Sequence, residues 1–192
     1  MAINRLNPDY PDAGIVQLIP TSVSVGSGSS TISGNGQVSF SGASSVSLDG
    51  IFNSTYTNYL IKFNATSLAS GDADLALYFR SGSGTDVTNN NVSEILIQYS
   101  TSISANESTV ARFGATSANY STFSNYTLQV SNPNLSTTTT YESSGSFVTN
   151  AGIPYQYRAF GYNFSTTVMT GIKLYPTASN FSGTVSVYGY RN

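Results

Sequence analysis

Residues 37–63 read QVSFSGASSVSLDGIFNSTYTNYLIKF, and this stretch decides the fold class. Polar and apolar residues alternate over Gln37–Phe40 and again over Ser44–Leu48, which is the period-2 pattern of a half-buried β-strand. Asp49-Gly50 then supplies a turn signal, and Asn58–Phe63 is mostly aromatic or aliphatic, as strands prefer. The stretch therefore predicts three strands separated by turns.

Similar short runs continue to the C-terminus and are broken by Gly, Asn, Ser and Pro. They predict roughly ten strands, which is typical of a sandwich or barrel. No window carries an apolar stripe of helical period, and Thr66–Leu77 is predicted as loop plus strand because Gly71 interrupts it. The threonine run ending at Tyr141 is predicted as a strand or an extended edge. The further predicted strands are Asp74–Phe79, Glu94–Tyr99, Thr109–Phe113, Tyr126–Val130, Gln156–Phe160, Gly171–Tyr175 and Thr184–Tyr188.

The chain carries few charges, with seven Lys or Arg and nine Asp or Glu in 192 residues. This is 8%, against about 25% in an ordinary soluble domain. There is no His, Cys or Trp, which excludes a Ser-His-Asp triad, a catalytic thiol and cysteine–zinc sites. The net charge of −2 and the dispersed basic residues argue against nucleic-acid or membrane partners. No run reaches the length of a membrane span, and no signal peptide is visible.

The first 35 residues differ from the rest of the chain. Pro8, Pro11 and Pro20 lack an amide donor, so this segment is predicted to run extended. We therefore divide the chain into an extended N-terminal arm and linker over residues 1–35 and a β-sandwich domain over residues 36–192. The arm is either a disordered terminus or a strap that orders on a neighbouring subunit. Its candidate contact residues are Arg5, Tyr10, Ile15, Val16, Leu18 and Ile19.

Carboxylates offer little basis for catalysis in this sequence. Asp72 and Asp74 would share one face of a strand, but a solvated turn that opens a strand accounts for them. A pair able to hydrolyse a glycoside would have to combine Asp72 with Asp49 or Asp86.

Other catalytic candidates are equally weak. Ser81–Thr85 is rich in Gly and Ser but lacks the Lys-Ser/Thr of a phosphate-binding loop. Lys62 and Lys173 alternate with apolar residues, as expected for the outward face of a strand. We therefore predict no catalytic residues, no cofactor and no metal, and that the chain is not an enzyme.

Tyrosine is abundant, and five tyrosines are candidates for an aromatic contact surface: Tyr155, Tyr157, Tyr162, Tyr188 and Tyr190. A tyrosine combines a rigid apolar ring with a polar tip, which suits both carbohydrate stacking and protein interfaces. The alternative is that these side chains belong to the core and to strand edges.

Two segments carry a resemblance to a known group of proteins. Residues 45–64 contain GIFNSTYTNY between two strands, and residues 180–190 read NFSGTVSVYGY. In this order the segments resemble the opening hairpin and closing strand of β-sandwich proteins of tailed-bacteriophage virions, of the head decoration (cement) or tail-fibre type. They bracket almost all of the globular part. The resemblance implies a jelly-roll-like domain, often trimeric, on a capsid or tail, and it implies no catalytic residues.

The sequence thus predicts an all-β chain that forms a single antiparallel, jelly-roll-like β-sandwich with an N-terminal arm. We expect a non-enzymatic virion structural protein, made in the host cytoplasm and placed on the capsid exterior as a homotrimeric decoration protein. Because the chain starts with a short arm rather than a particle-anchoring domain, the decoration role is favoured. The arm would bridge the major capsid protein or other virion proteins. The alternative is a tail-fibre or tail-tip adsorption module that recognises host glycan.

Overall fold

The computed structural model describes residues 14–99, 102–119 and 124–190, and these residues form two packed antiparallel sheets. The large sheet contains, in spatial order, β10 (Ser102–Ser108), β9 (Asn91–Tyr99), β14 (Pro154–Asn163), β13 (Thr139–Val148), β12 (Ser124–Ser131), β6 (Asn58–Leu68), β16 (Phe181–Tyr190), β4 (Val38–Ala43) and β3 (Ser29–Ile32), with β1 (Val16–Leu18) also paired to β16. The small sheet contains β11 (Arg112–Ser117), β7 (Asp72–Ser81), β15 (Met169–Pro176), β5 (Val46–Asp49) and β2 (Ser22–Val25), with β8 (Asp86–Val87) paired to β7. The predicted all-β, jelly-roll-like sandwich is confirmed.

The chain crosses repeatedly between the sheets, because β5, β11 and β15 and the β7–β8 hairpin lie in the small sheet, whereas the strands before and after each of them in sequence lie in the large one. Alternate residues of each strand point into the interface between the sheets, where the core forms. Phe63 of β6 packs edge-on against Phe113 of β11, with ring centroids 5.3 Å apart. The described residues contain no helix that is long and apolar enough to cross a membrane.

Residues assigned to the N-terminal arm contribute strands to both sheets. β1 pairs with β16, β2 pairs with β5, and β3 pairs with β4. The division at residue 35 therefore does not coincide with a structural boundary, because serine and valine alternate in β2 and complete the edge of the small sheet. Arg5 and Tyr10 lie outside the described residues. Ile15 and Ile19, on either side of β1, are 63% and 58% exposed.

The strand predicted over Thr109–Phe113 is wrong. Here β10 ends at Ser108, and the amide of Val110 donates a hydrogen bond to the Ser108 hydroxyl. The Ser93 hydroxyl donates to the Val110 carbonyl. These side-chain bonds take up the backbone groups that a continuous ladder would use, so β11 starts only at Arg112.

The other local predictions agree with the structure. Gly50, with a φ of +72°, ends β5 in a turn. The threonine run enters β13 at Thr139, and Thr66–Leu77 forms the end of β6, a turn and the start of β7.

Tyrosine rings in the core lie over glycines of the neighbouring strand. Tyr126 of β12 is directly opposite Gly145 of β13, and Tyr141 of β13 is directly opposite Gly161 of β14. A Cβ atom at Gly145 would come within 2.4 Å of the Tyr126 ring, and one at Gly161 within 2.7 Å of the Tyr141 ring. Only glycine leaves room for these rings, so the two residue types fit together as pairs.

Candidate functional site

The outer face of the large sheet, which the small sheet does not cover, carries a row of directly opposed residues on five neighbouring strands. The row runs from Glu107 on β10 through Glu94, Phe160 and Glu142 to Gln129 on β12. We call these five residues the acidic row. All three glutamates of the chain belong to it. Because neighbouring strands lie about 4.8 Å apart, Glu94 and Glu142 flank Phe160 with their Cα atoms roughly 10 Å apart.

A groove of about 530 Å³ follows the acidic row over β9, β14, β13 and β12. Leu96, Arg158 and Tyr162 line it together with members of the row. A second hollow of about 440 Å³ continues over β10 and shares Glu94, Phe160 and Tyr162 with the groove. A third hollow of about 480 Å³ lies over the middle of the same sheet and is lined by Lys62, Thr127, Ser144, Ser186 and Tyr188, among others. Together they give one sheet face a series of binding-sized depressions.

The groove has an apolar floor that is open to solvent. Phe160 is 54% exposed and Leu96 is 41% exposed, although both sit on regular strands. Tyr162 lies beside the exposed Phe164, with ring centroids 4.4 Å apart. An exposed aromatic side chain in a surface depression is typical of a binding surface, because a ligand that packs on the ring removes its apolar face from water.

The charged side chains fall into two groups. The small sheet holds ion pairs: Asp49 lies 2.8 Å from Arg80, Asp86 contacts both Arg80 and Lys173, and Asp74 lies 2.6 Å from Arg112.

The groove residues Glu94, Glu107, Glu142 and Arg158 form no ion pair within the part of the chain that the structure describes. Glu107 and Glu94 even face each other directly across the strands. Like charges in this position are destabilising, so their placement does not serve the fold.

The structure separates the predicted aromatic contact surface into two faces. Tyr157 is fully buried and Tyr155 packs against Phe147 on the core side of β14. Tyr157 therefore cannot touch a ligand, which corrects the prediction for this residue. Tyr162 and Tyr188 line hollows on the outer face, and Tyr190 is half-buried on the same face of β16. Strand alternation, which places residues of odd and even number on opposite faces, is the reason for the division.

The predicted carboxylate pairings do not form. Asp49 and Asp86 both contact Arg80, which neutralises them. Asp72 lies at the other end of β7 from Arg80, roughly 25 Å away along an extended strand, and its carboxylate accepts a hydrogen bond from the Asn150 amide. No group of three or more metal-ligating side chains occurs among the described residues.

The remaining candidate side chains serve the sheets. The Lys62 ammonium donates to the Thr127 hydroxyl at 2.7 Å, and Lys173 pairs with Asp86. Ser81–Thr85 forms the turn that joins β7 to β8, closed by hydrogen bonds between its own backbone and hydroxyl groups. Within the described residues, the hydrogen bonds of the two lysines go to Thr127 and Asp86 and not to a serine.

Sequence reasoning missed the acidic row, because its glutamates are separated by 13 and 35 positions and meet only through strand register. One signal was available. Of the three glutamates in the chain, Glu94 and Glu142 each stand beside an aliphatic or aromatic residue, Ile95 and Tyr141, as expected for the outward position of a strand.

No family model and no curated protein matches the chain. Among solved structures it is similar to alginate lyase A1-II', a member of polysaccharide lyase family 7, at 11% identity and a TM-score of 0.24, covering 84% of this chain and 83% of that chain. It is similar to the catalytic domain of an endo-1,3-β-glucanase (laminarinase) from Thermotoga petrophila RKU-1, at 8% identity and a TM-score of 0.26, covering 85% and 75%. It is also similar to the enzymatically active domain of tailspike protein 4 of bacteriophage CBA120, at 12% identity and a TM-score of 0.24, covering 92% and 19%. Similarity at this level assigns no function.

The prediction that the chain is not an enzyme is contradicted, since the solved structures to which the chain is similar include a polysaccharide lyase and a glucanase. The inference from composition was too strong for a physical reason. Glycoside hydrolysis needs two suitably spaced carboxylates and does not need a histidine. A chain with few charges and no histidine can therefore meet this requirement. Glu94 and Glu142 lie on either side of Phe160 in the acidic row.

Proposed function

We propose that this chain is a virion surface protein that binds a host-cell glycan through the groove on its large sheet. One observation carries the proposal: exposed Phe160 and half-buried Tyr162 lie in the same groove as carboxylate and guanidinium groups that form no ion pairs among the described residues. The virion setting comes from the resemblance of residues 45–64 and 180–190 to proteins of tailed-phage particles. The architecture is the one that this resemblance implies.

The chemistry of the groove suits a sugar chain. The C–H face of a sugar ring packs on an aromatic side chain, and its hydroxyls donate to carboxylates and exchange hydrogen bonds with amides such as that of Gln129. Phe160 stands between Glu94 and Glu142. A ring stacked on Phe160 would therefore have hydrogen-bond acceptors on both sides.

The positions of these groups are fixed by the sheet. Each one sits on a strand that is hydrogen-bonded on both sides, except on the edge strand β10. Binding groups on regular strands lose little freedom when a ligand arrives, so many individually weak contacts can add up.

The test is binding of the fluorescently labelled protein to host cells and to their purified surface polysaccharide. Phe160→Ala should lower the affinity about tenfold, in line with the loss of roughly 1.4 kcal/mol of stacking and burial. Tyr78→Ala is the matched control, because Tyr78 stacks with Tyr175 at 4.9 Å on the small sheet, away from the groove. Equal binding by wild type and Phe160→Ala would rule out the groove as the site.

A second candidate function is capsid decoration, in which a homotrimer on the capsid exterior bridges the major capsid protein or other virion proteins. The exposed Ile15 and Ile19 beside β1 favour it, because exposed aliphatic residues on a surface strand are typical of a protein contact. Replacing both with Asp should abolish incorporation into particles while the sandwich stays folded. Full occupancy of particles by this variant would exclude the strap.

A further inference from the structure

We propose that the groove selects glycans by charge, so that it binds uncharged sugar chains and rejects polyanionic ones such as polyuronates. This inference rests on the glycan-binding function proposed above and specifies its ligand class. It is carried by the arrangement of charge on the outer face of the large sheet, which differs from that on the small sheet.

The charges along the groove and its continuation over β10 are three carboxylates, Glu94, Glu107 and Glu142, and one guanidinium, Arg158. The net formal charge of this part of the face is therefore −2. On the same face Lys62 lies farther along the sheet, in the third hollow, where its ammonium is hydrogen-bonded to Thr127. An anionic ligand would therefore meet net negative charge wherever it followed the acidic row.

No ion pair among the described residues relieves this repulsion. Arg158 lies directly opposite Leu96 and Ser144, so it stands one row away from Glu94 and Glu142 and forms no ion pair with them. Glu94 and Glu107 are direct cross-strand neighbours. Carboxylates that are not neutralised keep their acceptor sites for a ligand that brings hydrogen-bond donors. The hydroxyls of a neutral sugar are such donors, whereas uronate, sulfate and phosphate groups bring further acceptors and further negative charge.

Selectivity of this kind is the difference between the affinity for neutral glycans and the affinity for acidic ones. The carboxylates act chiefly by lowering the affinity for acidic glycans. Replacing a carboxylate by its amide isostere keeps one acceptor oxygen and the side-chain shape. Glu94 and Glu142 also accept hydrogen bonds from a neutral glycan, so the amide variants should lose part of their neutral affinity, and the ratio of acidic to neutral affinity is the readout. The amide variants should lose the barrier to acidic glycans.

The test uses a glycan array that carries both neutral and acidic oligosaccharides, followed by titration with the best binder of each class and with alginate oligomers. We expect wild type to bind neutral glycans only. Glu94→Gln should raise the affinity for acidic oligomers at least threefold, and Glu94→Gln combined with Glu107→Gln and Glu142→Gln at least tenfold, with the gain shrinking at high salt. Asp72→Asn is the matched control, because it makes the same change in net charge outside the groove.

The outcomes separate the two proposals. If wild type binds acidic glycans as tightly as neutral ones, or if the Gln variants keep the selectivity of wild type, charge selection is wrong and glycan binding stands. If the array shows no binder and Phe160→Ala behaves as wild type on host cells, glycan binding itself is wrong and the inference falls with it.

Discussion

Two buried tyrosines should respond in opposite directions to loss of their hydroxyl groups. Tyr157 is fully buried and its hydroxyl has no protein hydrogen-bond partner within the described residues. Tyr126, whose ring centroid lies 5.9 Å away, donates its hydroxyl to the Ala115 carbonyl and accepts from the Ala115 amide. Tyr→Phe removes one oxygen in each case and keeps the ring, so packing is nearly constant and hydrogen bonding is the variable.

The expected magnitudes follow from this difference. A buried polar group without a partner costs about 1–3 kcal/mol, so Tyr157→Phe should raise the free energy of unfolding by about 1 kcal/mol and Tm by about 3 °C. Tyr126→Phe leaves both backbone groups of Ala115 without their partner. We expect it to lower the free energy of unfolding by about 2 kcal/mol.

The assay is urea unfolding followed by circular dichroism and tyrosine fluorescence, with calorimetry for Tm. Coincident transitions from the two optical probes establish the two-state behaviour that a free energy requires. The reasoning is refuted if Tyr157→Phe destabilises the protein as much as Tyr126→Phe does. That result would mean that the Tyr157 hydroxyl is satisfied in solution.

Two further predictions concern the electrostatics of the fold. Burial raises the pKa of Tyr126, Tyr141 and Tyr157 in the folded protein. Because these tyrosines ionise at about pH 10 once the chain is unfolded, higher pH favours the unfolded chain. The urea midpoint should therefore stay level up to about pH 10 and fall above it, and a midpoint still level at about pH 11.5 would contradict this. Arg80→Met leaves Asp49 without its countercharge and Asp86 with Lys173 alone, and it should lower the free energy of unfolding by about 2 kcal/mol. Lys62→Met loses one exposed contact with Thr127 and should lower it by under about 0.5 kcal/mol. Equal unfolding free energies for the two variants would count against the ion-pair cluster.

Strands whose own residues have a strong strand preference could be predicted from the sequence. Asn58–Phe63 and Thr184–Tyr188 are apolar on one or both faces, and they form the centre of the large sheet as β6 and β16. Strand β10, with the sequence SISANES, was not predicted, because its residues have weak strand preference and it exists through its pairing with β9.

The candidate groove could not be predicted for a related reason. It is built from single residues on neighbouring strands, and which residues face each other depends on strand register and on the order β10-β9-β14-β13-β12. Neither is visible in the local pattern. Tyr162 and Tyr188 of the predicted aromatic contact surface lie on the outer face, and their contact with a ligand or partner stays a prediction. The prediction was wrong for Tyr157, because alternate residues of a strand face opposite sides of the sheet and Tyr157 faces the core.

The glycine–tyrosine pairs have a consequence for folding fidelity. Strands rich in serine and threonine offer many nearly equivalent alignments, and slippage by two residues would keep the same face towards the core. A shift of this size in β13 against β12 would bring the Tyr126 ring against a side chain in place of Gly145. The pairs of Tyr126 with Gly145 and of Tyr141 with Gly161 therefore act as steric keys for strand alignment, in a chain with too few charges to align its strands by ion pairing.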